Sequence, residues 1–394
     1  MQFSEESDNH YFFSQPHQPF FVLAFVNAII TMFIFLLSYK GVLNLSITDA
    51  SFHAYGLTYL LFTPAFLAFL FTTFPRFAST PQIEKKVYMR VFTLFYMGSA
   101  LFALGSIASP VLSALGMFLI FYGHLYGLYI LNQIYTTTTM EDKHDIFWIN
   151  MAMKFGVLAH FVYISGQMFY TPLVGLSTEI AIYLYLFLLT FSVAQRMVPF
   201  FSHSMEGRND YLLKVVFTLL LLHVALEGVY THSSFVVDIL IGLLIGKELF
   251  RWKLQFPNPN MLLWVLHTAL YWIPVAFILG GLTNLVSLLS GMSFLGLEIH
   301  MLTLGFVFTI LIGFGTRVTL GHSGNMMQAD RWSKYLFYTT QVVVVMRILV
   351  SLVAAFGWNF MILFDITATV WIVLLVVWAV RFFPVLISGK KLTD

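Results

Sequence analysis

The chain has 394 residues, of which 59% are hydrophobic and 10% charged, and its formal net charge is +2. Together with a mean hydropathy of +0.85, this composition excludes an ordinary soluble domain and indicates an integral membrane protein. Because the chain has no cysteine, disulfides, iron–sulfur clusters and thiolate metal sites are excluded. Any metal must be held by histidine, methionine, carboxylate, tyrosine or backbone groups.

Apolar runs separated by helix-breaking residues predict an all-α fold with twelve transmembrane helices. The residues before the first run contain no Lys or Arg and do not resemble a signal peptide, so we expect that run to be an uncleaved span. We predict one transmembrane domain, residues 18–387, between cytoplasmic tails at residues 1–17 and 388–394. The predicted spans lie near residues 18–39, 52–74, 88–108, 110–135, 146–169, 174–196, 212–230, 234–250, 261–285, 293–320, 335–357 and 361–386.

The basic residues support this count independently. If the twelve spans alternate across the membrane, all of the 20 Lys and Arg residues except Lys40 and Arg347 fall on one side. The positive-inside rule then places both termini and the even-numbered connections in the cytoplasm. A missed or extra span would destroy this segregation, so the sequence predicts twelve.

Span ten carries the most informative pair of histidines, His300 and His322. They are 22 residues apart, which in a helix is roughly 33 Å, the thickness of a bilayer core. Each imidazole therefore lies near a different membrane face, and the two cannot share a metal unless the helix breaks near Gly313 or Gly315. These glycines also permit close helix approach or room for a flat cofactor.

Depth sorts the remaining histidines into two candidate sites. His53 shares the outer face with His300, and we interpret this pair as the outer haem or metal ligands, because haem b needs one or two axial imidazoles. His17 and His267 share the inner face with His322, a three-imidazole group suited to copper or to a second haem. A histidine that only hydrogen-bonds a neighbouring helix remains the alternative at each position.

Two arginines are candidates for binding an anionic group. Arg317 lies about one and a half turns before His322, where it can neutralise a haem propionate or orient a ligand. Arg347 lies within span eleven, where it either clamps a propionate or pairs with a buried carboxylate such as Asp365 or Glu298.

These residues carry a resemblance to a known family. The segment that runs from His300 and Gly305 to Thr316-Arg317-Val318-Thr319-Leu320-Gly321-His322-Ser323-Gly324 resembles the hallmark of the NnrS family. Further matches follow the family's motifs in chain order: Gln18-Pro19-Phe20-Phe21 for RPFF, Phe52-His53-Ala54 for WHAHE, Arg196-Met197-Val198-Pro199-Phe200-Phe201 for RVIPFF, and Leu266-His267-Thr268-Ala269-Leu270-Tyr271-Trp272 for LHxGYxWL. Tyr55 and Gly56 stand where WHAHE has its second histidine and its glutamate, and Gln18 replaces the arginine of RPFF. The chain therefore resembles a divergent member.

The resemblance implies a multi-pass protein of the bacterial cytoplasmic (inner) membrane that contains haem b and copper. It implies a role in nitric oxide metabolism or nitrosative-stress resistance, in the setting of denitrification. Expected partners are nitric oxide or a similar diatomic molecule, the lipid bilayer and an unidentified electron donor, with no nucleic acid. Whether such a protein reduces nitric oxide, senses it or moves a metal nitrosyl is left open.

Two other classes remain as alternatives. A twelve-span secondary transporter would use a midplane polar site, which His124, Glu227 and Arg347 can supply, although the connection Arg76–Arg90 lacks the Gly-x-x-x-Asp-Arg type of motif of major facilitator transporters. A haem–copper oxidase or nitric oxide reductase core also has twelve spans, but it carries adjacent His-His ligands, and the sequence has no such pair.

Overall fold

The computed structural model describes residues 11–392, and all regular structure in that range is helical. Twelve long helices follow one another along the chain: α1 His17–Tyr39, α2 Asp49–Phe77, α3 Lys85–Ala108, α4 Pro110–Thr137, α5 His144–Met168, α6 Pro172–Phe201, α7 Leu212–Val229, α8 Phe235–Arg251, α9 Met261–Ser290, α10 Leu297–His322, α11 Arg331–Ala355 and α12 Met361–Ser388.

The predicted all-α polytopic fold is confirmed, since each predicted span overlaps one of these helices. Eleven of them are long and apolar enough to cross a membrane. The twelfth, α8, has 17 residues, about 26 Å of helix, which is at the lower end of the length that a span requires. The cytoplasmic placement of the termini and the boundaries of the domain stay predictions. Parts of both predicted tails, residues 1–10 and 393–394, lie outside the described residues.

Local chemistry explains where several helices begin and end. Side-chain oxygens at the N-caps accept hydrogen bonds from backbone N–H groups of the first turn. Thr48 accepts from Ser51 at 3.3 Å, Asn260 from Leu262 at 3.0 Å and Asp330 from Ser333 at 2.8 Å. Such caps satisfy donors that have no partner inside the helix. Gly291 ends α9 with φ of 73°, a conformation that glycine adopts without strain.

Three of the helices contain a π-helical segment: Gly56–Phe62 in α2, Ile180–Phe187 in α6 and Met301–Phe308 in α10. The residue before each segment is ionisable, namely Tyr55, Glu179 and His300. π-Helical turns are rare and are often found at functional sites. Tyr55 and Glu179 belong to the buried clusters described below, and His300 lies beside Arg347.

Threonine follows two of these segments and helps to satisfy their backbone. The hydroxyl of Thr63 donates to the carbonyl of Thr58, and that of Thr309 donates to the carbonyl of Leu304, both at 2.9 Å. In each case the acceptor lies five residues earlier, which is the spacing of the π-helical backbone bond. Every residue from Leu297 to His322 is helical, so α10 does not break at Gly313 or Gly315.

The helices group by their mutual contacts into two compact units. Of the described residues, unit 1 comprises 11–177, Gly315–Met327 and 375–392, and unit 2 comprises Thr178–Phe314 and Gln328–Leu374. In unit 1 a Cβ added at Gly105 would lie 2.2 Å from the nitrogen of Ser113, so α3 and α4 meet backbone to backbone. In unit 2 a Cβ at Gly313 would lie 2.7 Å from Leu266. The space beside Gly313 is thus filled by a leucine, whereas a Cβ at Gly315 would meet only Trp378 at 3.7 Å. The expectation of room for a flat cofactor beside these glycines stays a prediction.

Candidate metal centres

Unit 1 brings two of the predicted inner-face histidines together. The rings of His17, at the start of α1, and His322, at the end of α10, have centroids 4.7 Å apart and planes inclined by 48°. His17 is 2% exposed, and no described residue forms a hydrogen bond with its Nδ1. We call these two residues the histidine pair.

A glutamine orients the second member of the histidine pair. Nδ1 of His322 lies 2.8 Å from Oε1 of Gln15. An amide oxygen only accepts, so Nδ1 carries the proton and Nε2 of the neutral ring keeps a lone pair for a metal. Gln15 is itself fixed in the turn before α1, because its backbone N–H donates to Oε1 of Gln18 at 2.9 Å.

The chain around His322 is held by the C-terminal segment. Nζ of Lys391 donates to the carbonyl of Ser323 at 2.5 Å, and the backbone N–H of Leu392 donates to Oδ1 of Asn325 at 2.9 Å. Arg317 lies on the same helix, five residues before His322, and is half-buried. The predicted inner-face residues of α10 therefore lie in an ordered part of unit 1.

His267 belongs to unit 2, where both of its ring nitrogens have partners. Nδ1 lies 2.9 Å from the carbonyl oxygen of Gln255, and the hydroxyl of Ser202 lies 2.7 Å from Nε2. The carbonyl requires a proton on Nδ1, so Nε2 accepts from Ser202. Its predicted role as a third ligand of the inner site stays a prediction, and ligation through Nε2 would have to displace Ser202.

The two predicted outer-face histidines belong to different units. In unit 1, His53 is half-buried with its ring centroid 4.5 Å from that of Phe35. In unit 2, Nδ1 of His300 lies 2.8 Å from the carbonyl oxygen of Gly296 and 3.2 Å from Nη2 of Arg347. The carbonyl of Gly296 only accepts and the guanidinium of Arg347 only donates. Nδ1 must carry a proton to bind the first and a lone pair to bind the second, so it hydrogen-bonds to one of them at a time.

Arg347 is thus adjacent to a predicted ligand. Its guanidinium also donates to the carbonyl of Leu295 at 2.8 Å and to the hydroxyl of Ser351 at 2.6 Å. The carboxylate of Glu298 accepts instead from Tyr183 and Asn284. The predicted pairing of Arg347 with a buried carboxylate such as Asp365 stays a prediction.

The sequence did not identify a buried cluster in unit 1 around His160. The Tyr55 hydroxyl lies 2.9 Å from His160 Nε2, and Nδ1 of His124 lies 3.4 Å from His160 Nδ1. Tyr59 stacks on His160 with ring centroids 3.8 Å apart. The sequence does show His124 and His160 within predicted spans, but no local motif relates these two positions.

A second unpredicted cluster, in unit 2, combines one histidine with carboxylates. His223, Asp238 and Glu298 are buried. Each residue offers one potential ligand atom, and these three atoms lie within 4.8 Å of one another. They come from α7, α8 and α10, so no short sequence motif could have joined them. This arrangement can hold a cation or a proton.

The continuous apolar helices and the buried imidazoles define a polytopic helical membrane protein with candidate metal centres inside its units. The family model described as NnrS protein matches residues 11–390, and the chain therefore belongs to the NnrS family. No match was found among curated proteins. Family membership supports a membrane protein linked to nitric oxide and to metal cofactors at the level of the family.

The histidine pair fits a copper ion better than a haem. Two imidazoles on neighbouring positions of one metal, with metal–nitrogen bonds of about 2.0 Å, have ring centroids roughly 4.5–5 Å apart. Two axial ligands on opposite sides of a haem iron would be separated by roughly 6 Å. The observed 4.7 Å, the unpartnered Nδ1 of His17 and the lone pair on His322 Nε2 meet the first requirement.

Proposed function

We propose that this NnrS-family protein is a membrane-embedded haem and copper protein that binds or turns over nitric oxide and so lowers nitrosative stress. The observation that carries this proposal is the buried histidine pair. His17 and His322, both in unit 1, are the copper ligands. The other predicted histidines, His53 in unit 1 and His267 and His300 in unit 2, are each candidate ligands of haem b or of a metal within their own unit.

The residues around these histidines support their assigned roles. Gln15 holds His322 in the tautomer that leaves Nε2 for the metal. Arg347 is held beside His300 by Leu295 and Ser351, so its charge is placed to neutralise a haem propionate. Arg317, half-buried on the helix that bears His322, is the corresponding cation at the inner face.

The cofactors would supply the chemistry, because ferrous haem and cuprous ion both bind nitric oxide. The protein's part is to exclude water and to hold the imidazoles. Nitric oxide is small, neutral and lipid-soluble, so it reaches an intramembrane site through the bilayer without a polar channel. His17 is 2% exposed and His322 is half-buried, so the fold removes at least the first of the two imidazoles from water.

The secondary-transporter alternative has less support. Transporter sites at the membrane midplane are typically formed by discontinuous helices, whereas the described spans are continuous. Glu227, one of its candidate residues, accepts the backbone N–H groups of His232 at 2.8 Å and Ser234 at 3.1 Å. That glutamate is thus used to fix the connection between α7 and α8.

The test is the absorption spectrum and metal content of the purified, detergent-solubilised protein. We expect a Soret band that shifts on reduction and again on addition of nitric oxide, together with bound copper. His300→Ala should lose the haem band, and His322→Ala should lose copper while it keeps haem. His203→Asn, in an exposed loop with positive φ, is the control and should keep both. A colourless, metal-free wild-type protein would overturn the proposal.

A further inference from the structure

The cluster around His223 in unit 2 is organised by Asp238. Nδ1 of His223 lies 2.5 Å from Oδ1 of Asp238, and Oδ2 accepts from the Ser234 hydroxyl at 2.7 Å and from Asn284 Nδ2 at 3.3 Å. Asp238 is fully buried and its oxygens are occupied by these donors. It therefore acts as an acceptor that fixes the ring of His223, as carboxylates do behind metal-binding histidines.

The other ring nitrogen faces a second carboxylate. Nε2 of His223 lies 3.4 Å from Oε2 of Glu179. When Nδ1 carries the ring's only proton, both of these atoms are electron-pair donors, and a cation bound by both would stabilise their approach. The distance is longer than a typical N–H···O bond of about 2.7–3.2 Å. It matches the separation of roughly 3.3 Å between two ligand atoms around one tetrahedral cation.

Glu298 completes the arrangement from α10. Oε1 accepts from the Tyr183 hydroxyl at 2.7 Å and Oε2 from Asn284 Nδ2 at 2.9 Å. Each carboxylate oxygen has a further lone pair, so Glu298 can still bind a cation. Gly280 makes room for it, because a Cβ at that position would lie 2.4 Å from Glu298 Cγ.

The cluster has an excess of negative groups. Glu179, Glu227 and Glu298 line a cavity of about 150 Å³ together with His223, and Asp238 lies behind the ring. Among the described residues, no Lys or Arg forms an ion pair with any of these four carboxylates. His223 is the basic side chain that contacts Asp238 and Glu179, so the carboxylates outnumber the basic groups, and such an excess is costly inside a membrane protein. A cavity of about 150 Å³ is large enough for a cation and its bound water.

We propose that His223 Nε2, Glu179 and Glu298 bind a divalent first-row cation of the Mn²⁺, Fe²⁺ or Zn²⁺ type, with Asp238 orienting the histidine. One imidazole among carboxylate oxygens suits these ions, whereas a cuprous ion prefers softer ligands. The site lies wholly within unit 2 and shares no residue with the proposed haem and copper ligands. It is therefore a separate metal site, independent of the proposed function.

The test titrates Mn²⁺ into chelator-treated, full-length protein and measures free Mn²⁺ by electron paramagnetic resonance. We expect one ion bound per chain, with affinity lowered about ten-fold or more in His223→Gln and in Glu298→Gln. Glu248→Gln is the matched control, because Glu248 is a buried carboxylate of unit 2 that pairs with Arg251 instead. His17→Gln/His322→Gln should bind Mn²⁺ normally, which separates this test from that of the histidine pair.

Wild-type binding retained in both cluster variants, or the absence of Mn²⁺ binding in wild type, would overturn the inference. A buried variant that fails to fold does not remove the test. In the His17→Gln/His322→Gln protein labelled with ¹⁵N-histidine, bound Mn²⁺ should show hyperfine coupling to a histidine nitrogen. Glu179→Gln, whose side chain is 23% exposed in the parent protein, should weaken binding in the same assay. Lack of the nitrogen coupling would contradict the proposal as firmly as unaltered binding.

Discussion

The hydroxyl of Tyr55 lies 2.9 Å from Nε2 of His160, with both side chains fully removed from solvent. Tyr55 occupies the position at which the family motif has its second histidine. The tyrosine thus retains a hydrogen-bonding group at this position of α2 and directs it at a buried imidazole. The departure from the motif changes the chemistry of this cluster in unit 1 without leaving His160 Nε2 unsatisfied.

Removal of that hydroxyl should destabilise the protein. Tyr55→Phe leaves His160 Nε2 buried without its partner, which costs about 1–3 kcal/mol of unfolding free energy. We expect a clearly lower midpoint of thermal unfolding in detergent. Tyr96→Phe, which removes a hydroxyl from a side chain that is 58% exposed, is the control and should leave the midpoint unchanged. Equal midpoints for the two variants would show that the Tyr55–His160 bond contributes nothing.

Gln15 should tune the affinity of the proposed copper site. Gln15→Ala removes the acceptor of His322 Nδ1–H, so the ring is free to rotate and to change tautomer. Loss of such an outer partner typically lowers metal affinity about 10–100-fold. Competition with a cuprous chelator should measure this loss, while the copper content at saturation stays that of wild type. Gln82→Ala, at an exposed position before α3, is the control, and unaltered affinity in Gln15→Ala would contradict the assigned orientation of His322.

Gly280 should be intolerant of even one added methyl group. A Cβ there would lie 2.4 Å from Cγ and 2.6 Å from Cδ of Glu298, so Gly280→Ala must displace that carboxylate. We expect a loss of about 1–3 kcal/mol of stability and weaker Mn²⁺ binding. Gly175→Ala provides the comparison, because nothing lies within 4 Å of its added Cβ, and there alanine should be neutral or slightly stabilising. If Gly280→Ala changed neither the stability nor the Mn²⁺ binding, the close approach of Gly280 to Glu298 would be contradicted.

The predicted orientation can be measured directly, because the chain has no cysteine of its own. Asn44→Cys, in the exposed connection after α1, should react with a membrane-impermeant maleimide in intact cells. Gln82→Cys, in the exposed connection after α2, should react only after the membrane is opened. The reverse pattern would place the termini outside and contradict the positive-inside argument.

The helical fold was predictable because bilayer thickness fixes the length of an apolar span and lysine and arginine mark one side. The same argument placed His17 and His322 at one depth, and unit 1 brings their rings together. The partners of His267 were not predictable, since they are the carbonyl of Gln255 and the hydroxyl of Ser202 in distant connections. The cluster of His223, Asp238 and Glu298 was missed because its members come from three helices and share no local spacing.

The π-helical segment of α10 has a consequence for the angular positions of the groups on either side of it. Each π turn holds about one residue more than an α turn, and one α-helical residue corresponds to a rotation of about 100°. Deletion of a single residue within Met301–Phe308 would therefore turn His300 by about that angle relative to Arg317 and His322. The residues before and after the π-helical segment can thus present different faces, although they belong to one continuous helix.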